Sequence, residues 1–468
     1  MTEPYSERLP NSERLLNFEQ LPNSKPLPNF KASQRKELDG LMERGVFGVV
    51  TKKEIPTGTR IFRSRFIDQI KNKGTVNAYE KSRLVVQAYN DDGKRSILTQ
   101  APTIQRASQQ LILALALMIP GLDIYIRDIS QAYTQSTTRL SRNVFIKAPM
   151  EMGLKPGSIL QVLLPLYGIP EAGTHWFKTY HDHYTIKLHM ISSTFDPCLL
   201  YNDHSTAIIG LQTDDTLIAA NNVFMVLEQE ELEKAKFLAK PYKALKTNGH
   251  LKFNGLTITL LPDGLQITQE KQALNIMELD QASFAKEQYI AQRARGAYLA
   301  TVSQPQAAFP LSYAAQIVNP AIDDAKYLNK CLKWQQQNAG KGLKFVKLDI
   351  HTVRLVVFTD SSFANNRDQS SQIGYVIILA DGQNNANIIH WQSVKCKRVT
   401  RSVLASELYA LSLGFDVAST IKLLLTQILS GLRQGNHDDN DITVPMVLCI
   451  DSKSLYDCLV KLGTTQEK

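Results

Sequence analysis

The stretch AIIGLQTDDTLIA, Ala207–Ala219, decides how the chain is read. Two apolar runs, Ala207–Leu211 and Thr216–Ala220, flank the adjacent aspartates Asp214 and Asp215. Strand-forming residues on both sides of a short polar centre predict a β-hairpin. An ordinary hairpin turn would carry Asn-Gly or Asp-Gly rather than Asp-Asp followed by Thr. Two like charges at the tip repel, so a cation is expected to offset them. On these residues alone, a structural turn and a functional tip remain equally open.

Working outward, Asp123–Asp128 (DIYIRD) is a strand ending in an acid, placed after an apolar helix, Ser108–Met118, and a Pro120–Gly121 turn. Val144–Ala148 and Ile159–Leu164 read as strands, and Gly173–Leu188, with Trp176, Phe177, Tyr180 and Tyr184, as a helix. Arg60–Val86 reads as short strands carrying Arg60, Arg63, Arg65, Lys71, Lys73, Lys81 and Arg83. Such a ribbon is either a sheet edge guarded by cations or a hand for phosphates. Downstream, Val223–Leu238 reads as a helix, and Leu251–Ile258 pairs with Leu265–Thr268 around Pro262–Gly264. Lys271–Gln336 is mostly helical. Ser33–Arg44 is amphipathic, whereas residues 1–29, with LPNS at Leu9 and Leu21 and LPN at Leu27, bury little and are expected to be disordered.

A charge of +9 permits a nucleic-acid partner without establishing one. Cys198, Cys331, Cys396, Cys449 and Cys458 form no metal-ligand spacing and read as reduced thiols of an intracellular protein. No run of about 18 apolar residues and no signal peptide is read from the sequence, so no membrane partner is expected.

A second acid constellation lies near the C-terminus. Asp360 ends VRLVVFTD and Asp451 ends VPMVLCID, two strands of an α/β unit whose strand ends converge on one edge. Glu407 borders the apolar stripe Val403, Leu404, Leu408, Leu411 of a helix expected over Val403–Phe415. An inward glutamate is costly unless paired or holding a cation.

The order of these three acids resembles ribonuclease H, and TDSSFANNRDQSSQIGYVIIL, RSVLASELYAL and IDSKSLYDCL resemble the ribonuclease H domain of Ty1/copia-type retrotransposons. The rest of the chain resembles that family's reverse transcriptase. The resemblance rests on KSRLVVQAY (Lys81–Tyr89), RDISQAYTQ (Arg127–Gln135), PLYGIPEAGTHWFKTY (Pro165–Tyr180), FDPCLLY (Phe195–Tyr201), LQTDDTLI and FNGLTI (Phe253–Ile258), in the family's order.

The resemblance implies an α+β right-hand polymerase: fingers and palm over residues 30–238, and a thumb and connection over 239–340. An α/β ribonuclease H-like domain would follow over 341–468. Asp128, Asp214 and Asp215 would hold two Mg2+ (or Mn2+) ions, as would Asp360, Glu407 and Asp451. Lys81 and Arg83 would grip the triphosphate, with Tyr133 beneath the sugar. Partners would be an RNA or DNA template–primer and deoxynucleoside triphosphates, in a cytoplasmic particle or the nucleus. Two departures stand out. Gln212 replaces the family's usual aromatic, predicting altered primer positioning rather than lost metal binding. The family also continues with a strand, a helix and a fourth acid after Asp451, so the nuclease is expected to be C-terminally truncated and weak or inactive. The rival readings are a relic that at most binds nucleic acid and a stand-alone nuclease, which leaves Asp128, Asp214 and Asp215 unexplained.

Overall fold

The computed structural model of the chain describes residues 29–203, 206–247, 249–280, 283–430 and 444–461. The disordered segment expected at the N-terminus falls, save residue 29, outside them.

Helix α1 (Lys31–Glu43) buries Leu38 and Leu41 of its expected apolar stripe and leaves the third member, Met42, exposed. Strands β1 (Phe47–Val50), β2 (Ile61–Phe62), β3 (Ser64–Lys71) and β4 (Tyr79–Val86) follow. The basic ribbon is β3 paired antiparallel with β4. Helix α2 (Arg106–Met118) is buried almost all round, as befits a helix covered on two sides. It lies behind β5 (Asp123–Asp128). Strands β6 (Val144–Lys147) and β7 (Ile159–Val162) join the first two in the order β1-β7-β6-β2.

Helix α3 (Ala172–Asp182) continues into a π turn, His183–Lys187, so the expected single helix is interrupted. Strands β8 (Ile191–Ser192), β9 (Leu199–Tyr201), β10 (Ala207–Gln212) and β11 (Asp215–Ala220) precede α4 (Asn222–Lys234) and β12 (Lys243–Ala244). These build a six-stranded sheet ordered β12-β5-β11-β10-β9-β8. Helix α4 stops short of the expected Leu238: the chain turns at Lys236, where φ is +56°, and runs back past the end of β5. Leu238 accepts from the Ser130 amide at 2.9 Å.

Leu251–Ile258, expected as one strand, is a hairpin of β13 (His250–Phe253) and β14 (Leu256–Leu261). Asn254 and Gly255 both take positive φ, +45° and +76°, the two-residue turn that Asn-Gly signals. Strand β15 (Gly264–Thr268) follows. Helices α5 (Glu270–Leu274), α6 (Lys286–Ala300), α7 (Ala308–Ala315) and α8 (Ile322–Gln337) share their own core, and β16 (Leu343–Phe345) completes the sheet β13-β14-β15-β16.

The last unit holds β17 (Arg354–Ser362), β18 (Gln372–Ala380), β19 (Ala386–Lys395), α9 (Val403–Ser430), β20 (Met446–Cys449) and α10 (Lys453–Val460). Its sheet runs β19-β18-β17-β20, with β20 parallel to β17. Helix α9 runs well past Phe415 and, with a mean hydropathy of 1.5 over its most apolar window, is long and apolar enough to span a bilayer. It is not an unbroken apolar run, since Glu407, Asp416 and Lys422 interrupt it. Its small residues nevertheless pack on the sheet: a Cβ on Gly414 would lie 2.6 Å from the Thr359 methyl carbon. This unit is fused to the rest by one apolar cluster, and Trp391 Nε1 donates to the Ala300 carbonyl at 2.8 Å.

Candidate active sites

Strands β10 and β11 pair from Ala207↔Ala220 to Gln212↔Asp215, leaving Thr213 and Asp214 as the turn. Asp215 therefore belongs to the ladder, and only Asp214 sits in the tip. Thr213 takes φ +53°, a conformation a β-branched residue adopts at a cost. Its carbonyl accepts from the buried Trp176 indole at 2.7 Å, which holds the strained turn.

Strand β11 also pairs with β5, and Asp215 stands opposite Asp128. The Ile129 amide donates to the Asp214 carbonyl at 2.9 Å, tying the tip to the residue after Asp128. Three carboxylates thus reach one sheet edge. The Asp215 carboxyl is pushed up to about 6 by burial, then by Asp214 and Asp128, against Lys240 and Lys243. The offsetting cation is Lys240, whose Nζ lies 2.5 Å from Asp128 Oδ2. Its amide also donates to the Asp128 carbonyl at 2.9 Å.

Behind the edge, Arg127 and Glu228 form a fully buried pair. Burial works against the charge on Arg127, and the hydrogen bonds it donates to Glu228, with that carboxylate's charge, more than restore it. Arg127 Nη1 also donates to the Lys240 carbonyl at 2.8 Å, so the pair fixes the segment that carries Lys240.

Lys81 and Arg83 share one face of β4, opposite the buried Ser82 and Leu84. Burial lowers the Lys81 ammonium, as do Arg83, Lys240 and Lys71, while Asp128 opposes the shift. Lys81 therefore lies within electrostatic reach of Asp128. Tyr133 lies in a 3-10 turn, Ala132–Gln135, entered through Gln131 at φ +49°. Its ring packs 4.9 Å from that of Tyr167. Gln212 pairs with Asp215, and its side-chain carbonyl oxygen is buried without a partner.

In the C-terminal unit, Asp360, Glu407 and Asp451 offer carboxylate oxygens all within 4.8 Å of one another, the one such trio among the described residues. The Asp128, Asp214 and Asp215 carboxylates share an edge more loosely. Glu407 is 5% exposed. Its Oε1 accepts from Ser361 Oγ at 2.8 Å, while Oε2 is buried without a partner. Burial raises its pKa, Ser361 opposes that, and Asp360 and Asp451 raise it further. An all-oxygen set with an orphaned buried oxygen suits a hard divalent cation. Asp360 lies within β17 rather than at its end, and Asp451 lies just beyond β20.

Sequence reasoning missed Lys240, Tyr167, Ser361 and the Arg127–Glu228 pair. Ser361 was readable as the residue after Asp360. Lys240 and Glu228 lie 112 and 101 positions from their partners, beyond any local pattern.

The family model for reverse transcriptase (RNA-dependent DNA polymerase) matches residues 46–290. Among curated proteins, the chain is similar to the transposon Ty1-JR2 Gag-Pol polyprotein of Saccharomyces cerevisiae, 22% identical over 433 residues. That match covers 83% of this chain and 24% of the polyprotein. The TyH3 Gag-Pol polyprotein of the same species is 23% identical over 412 residues, covering 79% and 22%. The chain thus spans about a quarter of the length of these relatives. Among solved structures, a foamy viral protease-reverse transcriptase in complex with RNA/DNA hybrid superposes with a TM-score of 0.50 at 12% identity, covering 96% of this chain and 57% of that one. The fold is that of a retroviral reverse transcriptase, and the chain, resembling the Ty1 polyproteins over most of its length, belongs to the reverse transcriptase family.

Proposed function

We propose that the chain is the RNA-directed DNA polymerase of a Ty1/copia-type retroelement, with residues 30–238 as fingers and palm, 239–340 as thumb and connection, and 341–468 as a ribonuclease H-like domain. The observation that carries this reading is the opposition of Asp128 and Asp215, with Lys81 in electrostatic reach of Asp128, inside the family match.

Divalent magnesium or manganese, two ions per site, would supply activation of the primer hydroxyl and charge neutralisation at the phosphates. Asp128, Asp214 and Asp215 are the residues that would hold them. Arg83 offers a bidentate grip on a phosphate and Lys81 a point charge beside it. Tyr133, fixed in its turn, would exclude a 2′-hydroxyl. Gln212 brings an unpartnered acceptor where an aromatic surface is usual, and it would hydrogen-bond the primer sugar. Asp360, Glu407 and Asp451 would hold the metals of a second reaction, hydrolysis of the RNA strand of a hybrid. The neighbour solved with an RNA/DNA hybrid supports a template–primer as partner.

Primer extension on poly(rA)/oligo(dT) tests the reading. The native chain is expected to extend with deoxythymidine triphosphate and Mg2+, and an Asp214→Asn, Asp215→Asn variant is not. A folded native chain that binds hybrid without extending it would replace this reading with that of a binding-only relic.

A further inference from the structure

Three side chains from three separate segments are layered beside the acids. The Arg83 guanidinium carbon lies 5.1 Å from the Tyr167 ring centroid. The Tyr167 ring lies 4.9 Å from that of Tyr133, the planes inclined at 47°. We propose that Tyr167 is a specificity-determining positioning residue that couples the triphosphate grip of Arg83 to the sugar gate of Tyr133. This rests on the polymerase reading above.

Each end of the stack is anchored. Strand β4 ends with the Val86 amide donating to the Tyr167 carbonyl at 2.8 Å, so the ribbon that carries Arg83 is pinned to the residue beneath it. Such an approach needs glycine next door. Gly168 has φ +87°, and a Cβ there would lie 2.0 Å from the Val86 carbonyl oxygen. At the other end, the Tyr133 turn is tied by Thr134 Oγ1 donating to the Gln131 carbonyl at 2.9 Å and by Arg44 Nη1 donating to Thr134 Oγ1 at 2.8 Å. Tyr133 and Tyr167 are both half-buried. Among the described residues, Tyr167 is thus the ring in contact with both partners, Arg83 on one side and Tyr133 on the other.

The chemistry favours a coupling role over plain packing. A guanidinium over a ring face is attracted by the ring's quadrupole, and its planar shape stacks where an ammonium does not. Burial raises the Tyr167 hydroxyl to about 12, with Arg83 opposing and Asp214 and Glu37 adding to the shift, so the ring stays neutral and its hydroxyl remains a donor. An arginine resting on the ring face is held in one orientation, from which its planar fork can meet phosphate oxygens. The ring that supports the sugar gate therefore also sets the triphosphate grip. An aliphatic side chain at 167 would fill space but give Arg83 no face to rest on and Tyr133 no ring to lean against.

The test is equilibrium binding of deoxythymidine triphosphate and uridine triphosphate to the hybrid-bound full chain in Ca2+. It uses the native chain, Tyr167→Phe, Tyr167→Leu, Arg83→Lys and the Arg83→Lys, Tyr167→Leu double variant. Native and Tyr167→Phe are expected to prefer the deoxynucleotide to a similar degree. Tyr167→Leu is expected to lose about tenfold or more of that preference while its hybrid affinity stays native, which reports an intact fold. If the two residues are coupled, Tyr167→Leu weakens deoxynucleotide binding in the native background and adds little in the Arg83→Lys background. A native preference in Tyr167→Leu, additive effects in the double variant, or no preference in the native chain would each overturn the proposal. Discrimination in binding without primer extension would sink the polymerase reading alone.

Discussion

Asp128 and Asp215 stand directly opposite each other on two hydrogen-bonded antiparallel strands. Facing like charges destabilise a strand pair, and the raised Asp215 pKa reports that repulsion together with burial. A position chosen for stability would not carry this pair. The fold tolerates it because Lys240 sits on Asp128 and the buried Arg127–Glu228 pair holds that segment in place.

Lys240 occupies the carboxylate a metal would need. Replacing Lys240 with Met should tighten Mg2+ binding by about two- to fivefold, the scale of a half-exposed ion pair (~0.4–1 kcal/mol). Calorimetric titration of the metal reads this directly. Unchanged or weaker binding would show that Lys240 does not compete with the metal.

The Arg127–Glu228 pair is fully buried, so removing one partner strands the other. Glu228→Ala should cost about 3–5 kcal/mol in denaturant unfolding. Replacing both residues with apolar ones of similar volume should recover much of that loss. A single substitution costing under about 1 kcal/mol would mean that the pair is dispensable.

Glu407 has a folded pKa raised above its ordinary value, mainly by burial. The native state then binds its proton more tightly than the unfolded chain, so this group withdraws stability as pH rises through the ordinary carboxylate range and the folded pKa above it. Glu407→Gln should stabilise the metal-free protein at neutral pH and flatten that part of the profile. The same substitution should diminish the rise in melting temperature that Mg2+ gives the native chain. Thermal unfolding with and without Mg2+ checks both effects, and an unchanged Mg2+ response would remove Glu407 from the metal site.

His183 has the opposite sign of linkage. Burial holds its imidazole down to about 4, with Glu231 opposing and Lys187 reinforcing the shift. The unfolded chain protonates first, so stability from this group is full above the ordinary histidine range and is lost as pH falls toward 4. His183→Phe should reduce the loss of stability over that interval, measured as unfolding midpoints against pH. An identical slope in the variant would place the titration elsewhere.

Patterns confined to a few residues were legible in the sequence. The apolar runs around Asp214 and Asp215 give the hairpin, and the run before Asp128 gives its strand; Glu407 does face inward, but among Ser406, Ala410, Leu411 and Gly414, while Val403 and Leu408 of the stripe read around it are exposed. Helix ends were less readable: α4 breaks because Lys236 takes a left-handed conformation, which no residue type there announces. Asn254–Gly255 did announce a turn, and the apolar run on either side masked it. The cation on Asp128, the ring beneath Arg83 and the partner of Arg127 come from distant segments, and only tertiary packing brings them together.

The most direct measurement of the central claim is single-nucleotide incorporation on poly(rA)/oligo(dT) as a function of Mg2+, comparing the native chain with Asp128→Asn. The account predicts saturable, metal-dependent incorporation by the native chain and a loss of at least about a thousandfold (~4 kcal/mol) in the variant. Equal incorporation by the two would contradict it, because the acid opposite Asp215 would then have no part in the chemistry.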